Sequence, residues 1–275
     1  MYNNRIRVFL VVGLIVAWGV VFGYSMMRNR QLIPNAQSAI ESAKQSKQQL
    51  SEAMLLLKDR KDRQAMQAFE MILVDEPQNL SALWGKAEVL RRTRKFDAAE
   101  SILKGILEKN PQQAPALISL AYIRLKYGNQ KNAQELIEQV LEIKGLDKEN
   151  TAMAYLMKGT INGKLSQSGW VLNKFFYGTQ IKGNFLKAKG LAPDLPEVRL
   201  GLGTFYLLAP GFAGGNQKAA LEELEAAVRL APDFATANAR LAQAYQKAGN
   251  QEKYNFYLAL AKKLDPENEV IAELK

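Results

Sequence analysis

Two patterns of apolar residues divide the chain. Residues 8–27 form an apolar stretch without a charged residue, whereas the rest of the chain mixes apolar and polar positions with helical spacing. In this second part a proline follows each of five apolar runs, at Pro77, Pro111, Pro193, Pro232 and Pro266. The first two and the last two of these prolines are 34 residues apart, which indicates an internal repeat built from helices.

Other residue types recur at fixed distances from these prolines. Small residues stand twelve positions earlier at Ala65, Ala99 and Ala220, and twenty-four positions earlier at Ala53, Ala87 and Ala242. Large apolar residues stand eight positions earlier at Phe69, Leu103, Phe185, Leu224 and Leu258. Small residues let the two helices of a repeat approach closely, and large ones fill the space to the next repeat.

This pattern resembles the tetratricopeptide repeat, a unit of two helices. The resemblance implies an all-α fold, a right-handed superhelix (α-solenoid) of about six repeats. The repeats are expected at 46–79, 80–113, 114–147, 152–195, 196–234 and 235–268, followed by a capping segment at 269–275. Each proline is expected to start the next helix, where its missing N–H costs nothing.

Repeats four and five carry insertions between their helices. Residues 165–178 are expected to form a loop that exposes an aromatic patch, although these aromatics could instead fold back onto the repeats. The aromatic residues are Trp170, Phe175, Phe176 and Tyr177. A shorter insertion at 208–216 contains Phe212. Because insertions in repeat proteins map to one face, which often binds the partner, both are candidate binding loops.

The apolar stretch at 8–27 predicts one transmembrane helix that follows a short tail at 1–7. Twenty helical residues at about 1.5 Å each match a hydrocarbon core of about 30 Å. Arg5, Arg7 and the N-terminal amine give a weak preference for a cytoplasmic tail, with the repeats outside the cytoplasm. A polar stalk at 28–45, either flexible or helical, joins this helix to the repeats.

Two features of the apolar stretch leave alternatives open. Gly23-Tyr24-Ser25 has the small-x-small form that a signal peptidase accepts, so a cleaved signal peptide is the rival interpretation. Gly19 and Gly23 form a G-x-x-x-G pair, which favours self-association of the helix into a homo-oligomer.

Composition argues against an enzyme. The chain has no cysteine and no histidine, which removes thiol nucleophiles, disulfides, Cys/His metal sites and the imidazole of most acid-base chemistry. Gly159 to Lys164 fails as a phosphate-binding loop because Leu165 replaces the required Ser or Thr, and Gly203 is assigned to helix packing. We therefore predict no catalytic residue, no metal and no cofactor.

The formal net charge of +10 favours an acidic partner or anionic lipid. The positive charges are scattered, and nucleic-acid binding is not expected. The densest run, Arg91, Arg92, Arg94 and Lys95, falls in a predicted turn between helices. We expect a solvated turn there, with a docking patch as the alternative.

The resemblance also implies where a partner binds. In tetratricopeptide proteins, fixed positions of the first helix of each repeat line a concave groove. The corresponding residues here are Leu50, Met54, Trp84, Arg91, Ile118, Tyr122 and Leu125. Trp84 and Tyr122 are expected to be rigid anchors for an extended peptide or a helix, unless they are buried between repeats.

The leading functional hypothesis is a non-enzymatic scaffold, anchored in the bacterial inner membrane by a single pass, whose periplasmic repeats bind protein partners during assembly of a cell-envelope complex. A second hypothesis rests on residues 206–227, which look similar to a segment of the periplasmic repeat component of some tripartite substrate-binding transporters. In that case the protein would be a transport accessory that binds a hydrophobic ligand.

Overall fold

The computed structural model describes residues 40–168 and 171–274, without the side chains of 167–177. The predicted transmembrane helix at 8–27 and most of the stalk lie outside these residues. Within the described residues no helix combines the length and the apolar character needed to cross a membrane. The chain divides into two units, residues 1–52 and 53–275, and most of the predicted repeat region lies in the second unit.

The described residues form helices joined by short turns. Helix α1 spans residues 40–58. The following helices are α2 (Asp62–Asp75), α3 (Leu80–Arg92), α4 (Phe96–Lys109), α5 (Ala114–Lys126), α6 (Gln130–Glu142), α7 (Lys148–Ser168), α8 (Val171–Leu191), α9 (Pro196–Leu208), α10 (Gln217–Leu230), α11 (Ala235–Lys247), α12 (Gln251–Leu264) and α13 (Glu269–Glu273), with a 3₁₀ turn at Gly211–Ala213. The described part contains no strand, and the prediction of an all-α solenoid is confirmed.

The helices of the second unit are arranged in two layers. Each odd-numbered helix from α3 contacts the next odd-numbered helix, so that α3, α5, α7, α9, α11 and α13 form a continuous layer. The even-numbered helices pack against their odd-numbered neighbours and make no comparable contacts with one another in the described part of the chain. The odd-numbered layer therefore corresponds to the inner layer of a helical repeat array.

Small and large residues pack as their spacing predicts. Ala53, Ala65, Ala87 and Ala99 are completely buried, as is Phe69. The ring of Phe69 occupies the space beside Gly85, where a Cβ atom would lie 2.2 Å from Phe69 Cζ. Close approach of α2 and α3 therefore requires glycine at this position.

Four turns between the paired helices share one backbone geometry. The residue two positions before the second helix has a positive φ at Arg60 (62°), Arg94 (60°), Gly128 (77°) and Gly249 (75°). In each turn the next residue donates its N–H across the helix end, as in Lys61 N to Leu56 O at 3.0 Å, which is the pattern of a Schellman cap. Glycine normally takes this position, because a side chain there costs about 1–2 kcal/mol.

The recurrent prolines end helices instead of starting them. Pro77 follows Glu76, the last residue to bond to α2, while α3 begins only at Leu80. Asn79 caps α3 by accepting a hydrogen bond from the Ala82 N–H at 3.0 Å. The predicted role of these prolines was therefore wrong, because a proline just after a helix blocks its continuation.

The insertion in repeat four is helical, which corrects the predicted loop at 165–178. Helices α7 and α8 each have 21 residues, compared with 13 or 14 in the neighbouring repeats, so the extra residues lengthen both helices. Phe175, Phe176 and Tyr177 lie on α8, and Trp170 lies outside the described residues. This segment contains no proline, so α7 extends to Ser168 and α8 already begins at Val171.

The glycine motifs examined in the sequence serve packing. A Cβ atom on Gly159, in α7, would lie 2.6 Å from Phe185 Cε1, and a Cβ atom on Gly203, in α9, would lie 2.7 Å from Leu224 Cγ. Both glycines therefore allow a large side chain of the adjacent helix to pack against backbone, as predicted for Gly203.

Candidate protein-binding groove

The predicted groove residues lie on three helices. Leu50, in the first unit, and Met54 lie on α1 and are half-buried. Trp84 and Arg91 lie on α3, whereas Tyr122 and Leu125 lie on α5, and all four are also half-buried. Their partial exposure leaves surface available to a partner.

Ile118, on the same helix as Tyr122, differs from the other predicted groove residues. Its side chain is only 7% exposed and belongs to the central apolar cluster. Helix α5 contacts both α3 and α7, and Ile118 contributes to that core. It therefore offers little surface for a partner, and we leave it out of the groove.

A buried carboxylate links the two aromatic anchors. Glu88 accepts hydrogen bonds from Arg91 Nε at 2.8 Å, from Arg92 Nε at 3.0 Å and from Ser119 Oγ at 3.1 Å. Ser119 in turn accepts a hydrogen bond from Trp84 Nε1 at 3.2 Å. The indole is thereby fixed on a polar network that connects α3 to α5.

The charges of this network stabilise one another. Burial by itself would raise the pKa of Glu88, but Arg91 and Arg92 outweigh burial and lower that pKa to about 2. Burial likewise opposes the charge of Arg91, yet Glu88 raises the pKa of Arg91 above its ordinary value. Both groups are therefore charged at neutral pH, and each depends on the other.

The ring of Tyr122 makes contacts with two cations. The guanidinium carbon of Arg91 lies 4.2 Å from the ring centroid, and Lys126 Nζ lies 5.6 Å from it. Such cation–π contacts fix a ring without a covalent constraint. Trp84 and Tyr122 are thus positioned before any partner binds, which is the arrangement expected of interface anchors.

A second set of contacts, not predicted from the sequence, joins the first repeat to the fifth. Arg60 forms an ion pair with Glu197 at the start of α9, and its guanidinium carbon lies 3.7 Å from the ring centroid of Phe234. The Arg60 side chain is 9% exposed, and burial, aided by nearby Arg92, lowers its pKa to about 10 against the effect of Glu197. Arg60 is therefore charged, buried and paired.

A third set of contacts connects the second and third repeats to the turn before α13 and to the first residue of α13. Arg94 Nη2 lies 2.6 Å from Asp265 Oδ2 and donates to the Glu267 carbonyl oxygen at 3.0 Å. Lys126 Nζ lies 2.5 Å from Glu269 Oε2. Together with Arg60, these residues tie the first three repeats of the solenoid to its C-terminal repeats.

The basic run around residue 91 is thus not the solvated turn that was expected. Arg91 and Arg92 are 17% and 12% exposed and share Glu88. Arg92 also donates to the Leu57 carbonyl oxygen at 2.7 Å and to Asp62 at 3.0 Å. Only Lys95 of the four is exposed.

The loop at 208–216 displays Phe212, which is 95% exposed. The loop is internally bonded: Gly215 N–H donates to the Pro210 carbonyl at 3.0 Å, and Asn216 N–H donates to the Tyr206 carbonyl at 2.9 Å. A Cβ atom on Gly215 would lie 1.9 Å from the Ala209 carbonyl oxygen, so the turn requires its glycine. Gly214, with a φ of 97°, and Gly215 are therefore explained by backbone geometry.

An indentation between α6 and α7 is lined by Gln134, Ile137, Lys158 and Ile161 among others and encloses no space for even a water-sized sphere. Pockets that hold small organic ligands usually have about 300–1,000 Å³. This indentation therefore gives no support to a hydrophobic-ligand site.

Comparison with known proteins agrees with this architecture. The tetratricopeptide repeat family model matches residues 56–120 and, in a second placement, residues 90–155. The two placements together span residues 56–155, and over this part the chain is similar to tetratricopeptide repeats. These matches cover α2 to α6 and therefore include Trp84, Arg91 and Tyr122 on the inner helices. No curated protein sequence matches the chain.

Solved structures share the fold at low sequence identity. A thermophilic tetratricopeptide protein of Thermus thermophilus is 20% identical over 71% of this chain and 96% of its own, with a TM-score of 0.57. PilW, described as a widely conserved type IV pilus biogenesis factor, is 16% identical over 83% of this chain and 97% of its own, with a TM-score of 0.50. Human IFIT1, solved with a capped RNA, is 18% identical with a TM-score of 0.59, but the match covers only 52% of that protein against 83% of this chain.

Proposed function

We propose that this protein is a non-enzymatic scaffold that binds a protein partner on the inner surface formed by α3 and α5, and that it acts in the assembly of a cell-envelope complex. The observation that carries the proposal is the fixed, half-exposed pair of aromatic anchors. Trp84 is held by Ser119, and Tyr122 lies under the guanidinium of Arg91. Anchors that are ordered in advance lose less side-chain entropy on binding.

The envelope role is supported by two independent considerations. PilW, which has the same fold, is described as a pilus biogenesis factor. The apolar stretch at 8–27 has the length and composition of a membrane anchor, and the basic residues before it favour repeats outside the cytoplasm. We therefore place the repeats in the periplasm, on a single-pass inner-membrane protein.

Site-specific photo-crosslinking in living cells tests the binding surface. A photoreactive phenylalanine analogue at Tyr122 or Leu125 should capture one and the same protein. The matched control is Met71, which lies on α2 and is 69% exposed. Capture of that protein from Met71 with equal yield, or no capture from either groove position, would contradict the proposal.

A reporter fusion tests the placement separately. Alkaline phosphatase joined after Lys275 is active only outside the cytoplasm, so we expect activity from the full chain. An inactive fusion that is still produced at normal levels would place the repeats in the cytoplasm.

A further inference from the structure

The turn that precedes α13 is bound by the protein as if it were an acidic peptide. Asp265 and Glu267 lie in this turn and Glu269 is the first residue of α13, so the three carboxylates stand at alternate positions of residues 265–269. Arg94 binds Asp265 and the Glu267 carbonyl, and its Nη1 lies 3.6 Å from Glu267 Oε2. Lys126 binds Glu269. Two cations more than 140 residues away in sequence thus hold one short acidic segment.

The two cations lie at the C-terminal ends of the groove helices α3 and α5. Arg94 follows α3, the helix of Trp84, and Lys126 ends α5, the helix of Tyr122. Lys126 Nζ also lies 5.6 Å from the Tyr122 ring centroid. The acidic turn therefore ends at the edge of the surface that we assign to the partner.

Arg94 occupies a position whose backbone conformation is unfavourable for arginine. Its φ is 60°, whereas Gly128 and Gly249 take the same position in repeats three and six. An arginine here carries a backbone cost that glycine avoids. The arginine side chain makes the contacts with Asp265 and Glu267, which a glycine at this position could not make.

We propose that the acidic turn Asp265–Glu269 is an internal ligand of Arg94 and Lys126, and that an acidic segment of the protein partner displaces it. This proposal rests on the proposed function for the identity of the partner. The charge of the chain, +10, favours an acidic partner in the same way.

The geometry suits exchange at this point in particular. Glu269 is 62% exposed, and ion pairs that are open to water are individually weak and screened by salt. Val270 and Ile271, which follow the turn, are buried beside Ala239 and Ala261, so α13 remains packed when the turn leaves the cations. Arg60, buried against Glu197 and Phe234, is the permanent contact between the two ends of the solenoid.

A peptide that copies residues 264–270, LDPENEV with a fluorescein label, tests the site without the partner. Asp265→Asn with Glu269→Gln vacates the cations by removing the carboxylates that pair with Arg94 and Lys126, while Glu108→Gln with Glu142→Gln removes two charges elsewhere as the matched control. Asparagine at position 265 keeps an oxygen that accepts the hydrogen bond from the Asn268 side chain, which lies 3.1 Å from Asp265 Oδ2. If the internal ligand occupies the cations in about nine-tenths of molecules, the vacated full-length protein binds the peptide about tenfold more tightly than wild type or control.

A second variant removes the cations without endangering the fold. Arg94→Gly restores the residue that repeats three and six use at this turn, and Lys126→Gln keeps most of the length of its side chain. This double variant should not bind the peptide. Equal affinity in the wild-type, vacated and control proteins, or full binding by the Arg94→Gly/Lys126→Gln protein, would overturn the proposal.

Because the chain has no cysteine, introduced cysteines allow selective spin labelling. Labels at Lys95→Cys and Lys263→Cys, both exposed positions, report the distance between the α3–α4 turn and the end of α12. We expect one narrow distance distribution that broadens in either double variant and on addition of the peptide. A distance distribution that stays unchanged in all three cases would contradict displacement of the turn. A failure of photo-crosslinking at Tyr122 would instead overturn the proposed partner site, and the peptide and distance measurements would remain valid.

Discussion

Replacing Glu88 by glutamine tests whether the groove depends on its buried charge network. The side chain is 8% exposed and is bonded to Arg91, Arg92 and Ser119. Glutamine has nearly the same size and keeps one oxygen acceptor, so the substitution removes the negative charge with little change in packing. Arg91, which depends on Glu88 for its ion pair, would be left buried without a counter-ion.

The magnitude follows from the pKa. A fall in the pKa of Glu88 from 4.5 to about 2 corresponds to about 3 kcal/mol of stability at about 1.4 kcal/mol for each pH unit. Removing one partner of a buried ion pair generally costs about 3–5 kcal/mol. Arg92 keeps Asp62 and the Leu57 carbonyl, so we expect a loss of about 2–3 kcal/mol.

Urea denaturation at pH 7, followed by circular dichroism, measures this loss. The unfolding midpoint of Glu88→Gln should fall by about 1 M, since the free energy of unfolding changes by about 1–3 kcal/mol per molar urea. Glu108→Gln, at an exposed position, should change the free energy of unfolding by less than about 0.5 kcal/mol. An equal midpoint for Glu88→Gln and Glu108→Gln would refute the reasoning.

The dependence on pH has a defined sign. The folded-state pKa of Glu88 is lowered, so its stabilising contribution is complete above about pH 4.5 and is lost as the pH falls towards 2. The difference in stability between wild type and Glu88→Gln should therefore be largest near neutral pH and become smaller at pH 3. A difference that grows on acidification would contradict the proposed charge state.

Three further sets of substitutions test the packing and the turns. Arg60→Gly should be more stable than Arg60→Ala by about 1 kcal/mol, because both lose the ion pair but only glycine tolerates a φ of 62°; equal urea midpoints would argue against strain. Gly85→Ala places a Cβ atom against Phe69 and should cost about 1–3 kcal/mol, whereas Gly163→Ala, with open space around it, should be neutral or stabilising in the same denaturation assay. Phe212→Ser should leave the thermal midpoint unchanged, since the ring is 95% exposed; a clear loss would show that the ring packs on a neighbour.

The repeated helices could be predicted because their signals are local. The burial of Ala65, Ala99 and Phe69 follows from spacing within one repeat, where each residue packs against a helix close to it in sequence. The helical extension at 165–178 was also within reach, because this segment lacks a proline. The loop was predicted because the segment exceeds the usual repeat length. Extra residues can, however, lengthen a helix without interrupting it.

The contacts across the solenoid could not be predicted in the same way. Arg60 and Arg94 find their partners 137 and 171 residues away, and no local pattern encodes such a distance. One signal was nevertheless present: Arg60, Arg94 and Gly128 follow one another at intervals of 34 residues, so two arginines replace a turn glycine. Ile118 was predicted from its position in the repeat to line the groove. It is buried instead, because its helix packs against neighbouring helices on both sides.

Hydroxyl-radical footprinting of the purified protein, alone and with the protein captured at Tyr122, tests the central claim most directly. The partner should reduce the reactivity of Trp84 and Tyr122, while Met71 and Phe256, which are 69% and 63% exposed on other helices, should remain as reactive as before. Protection of Met71 or Phe256 with unchanged Trp84 and Tyr122 would show that the partner binds elsewhere and would contradict the assignment of the groove.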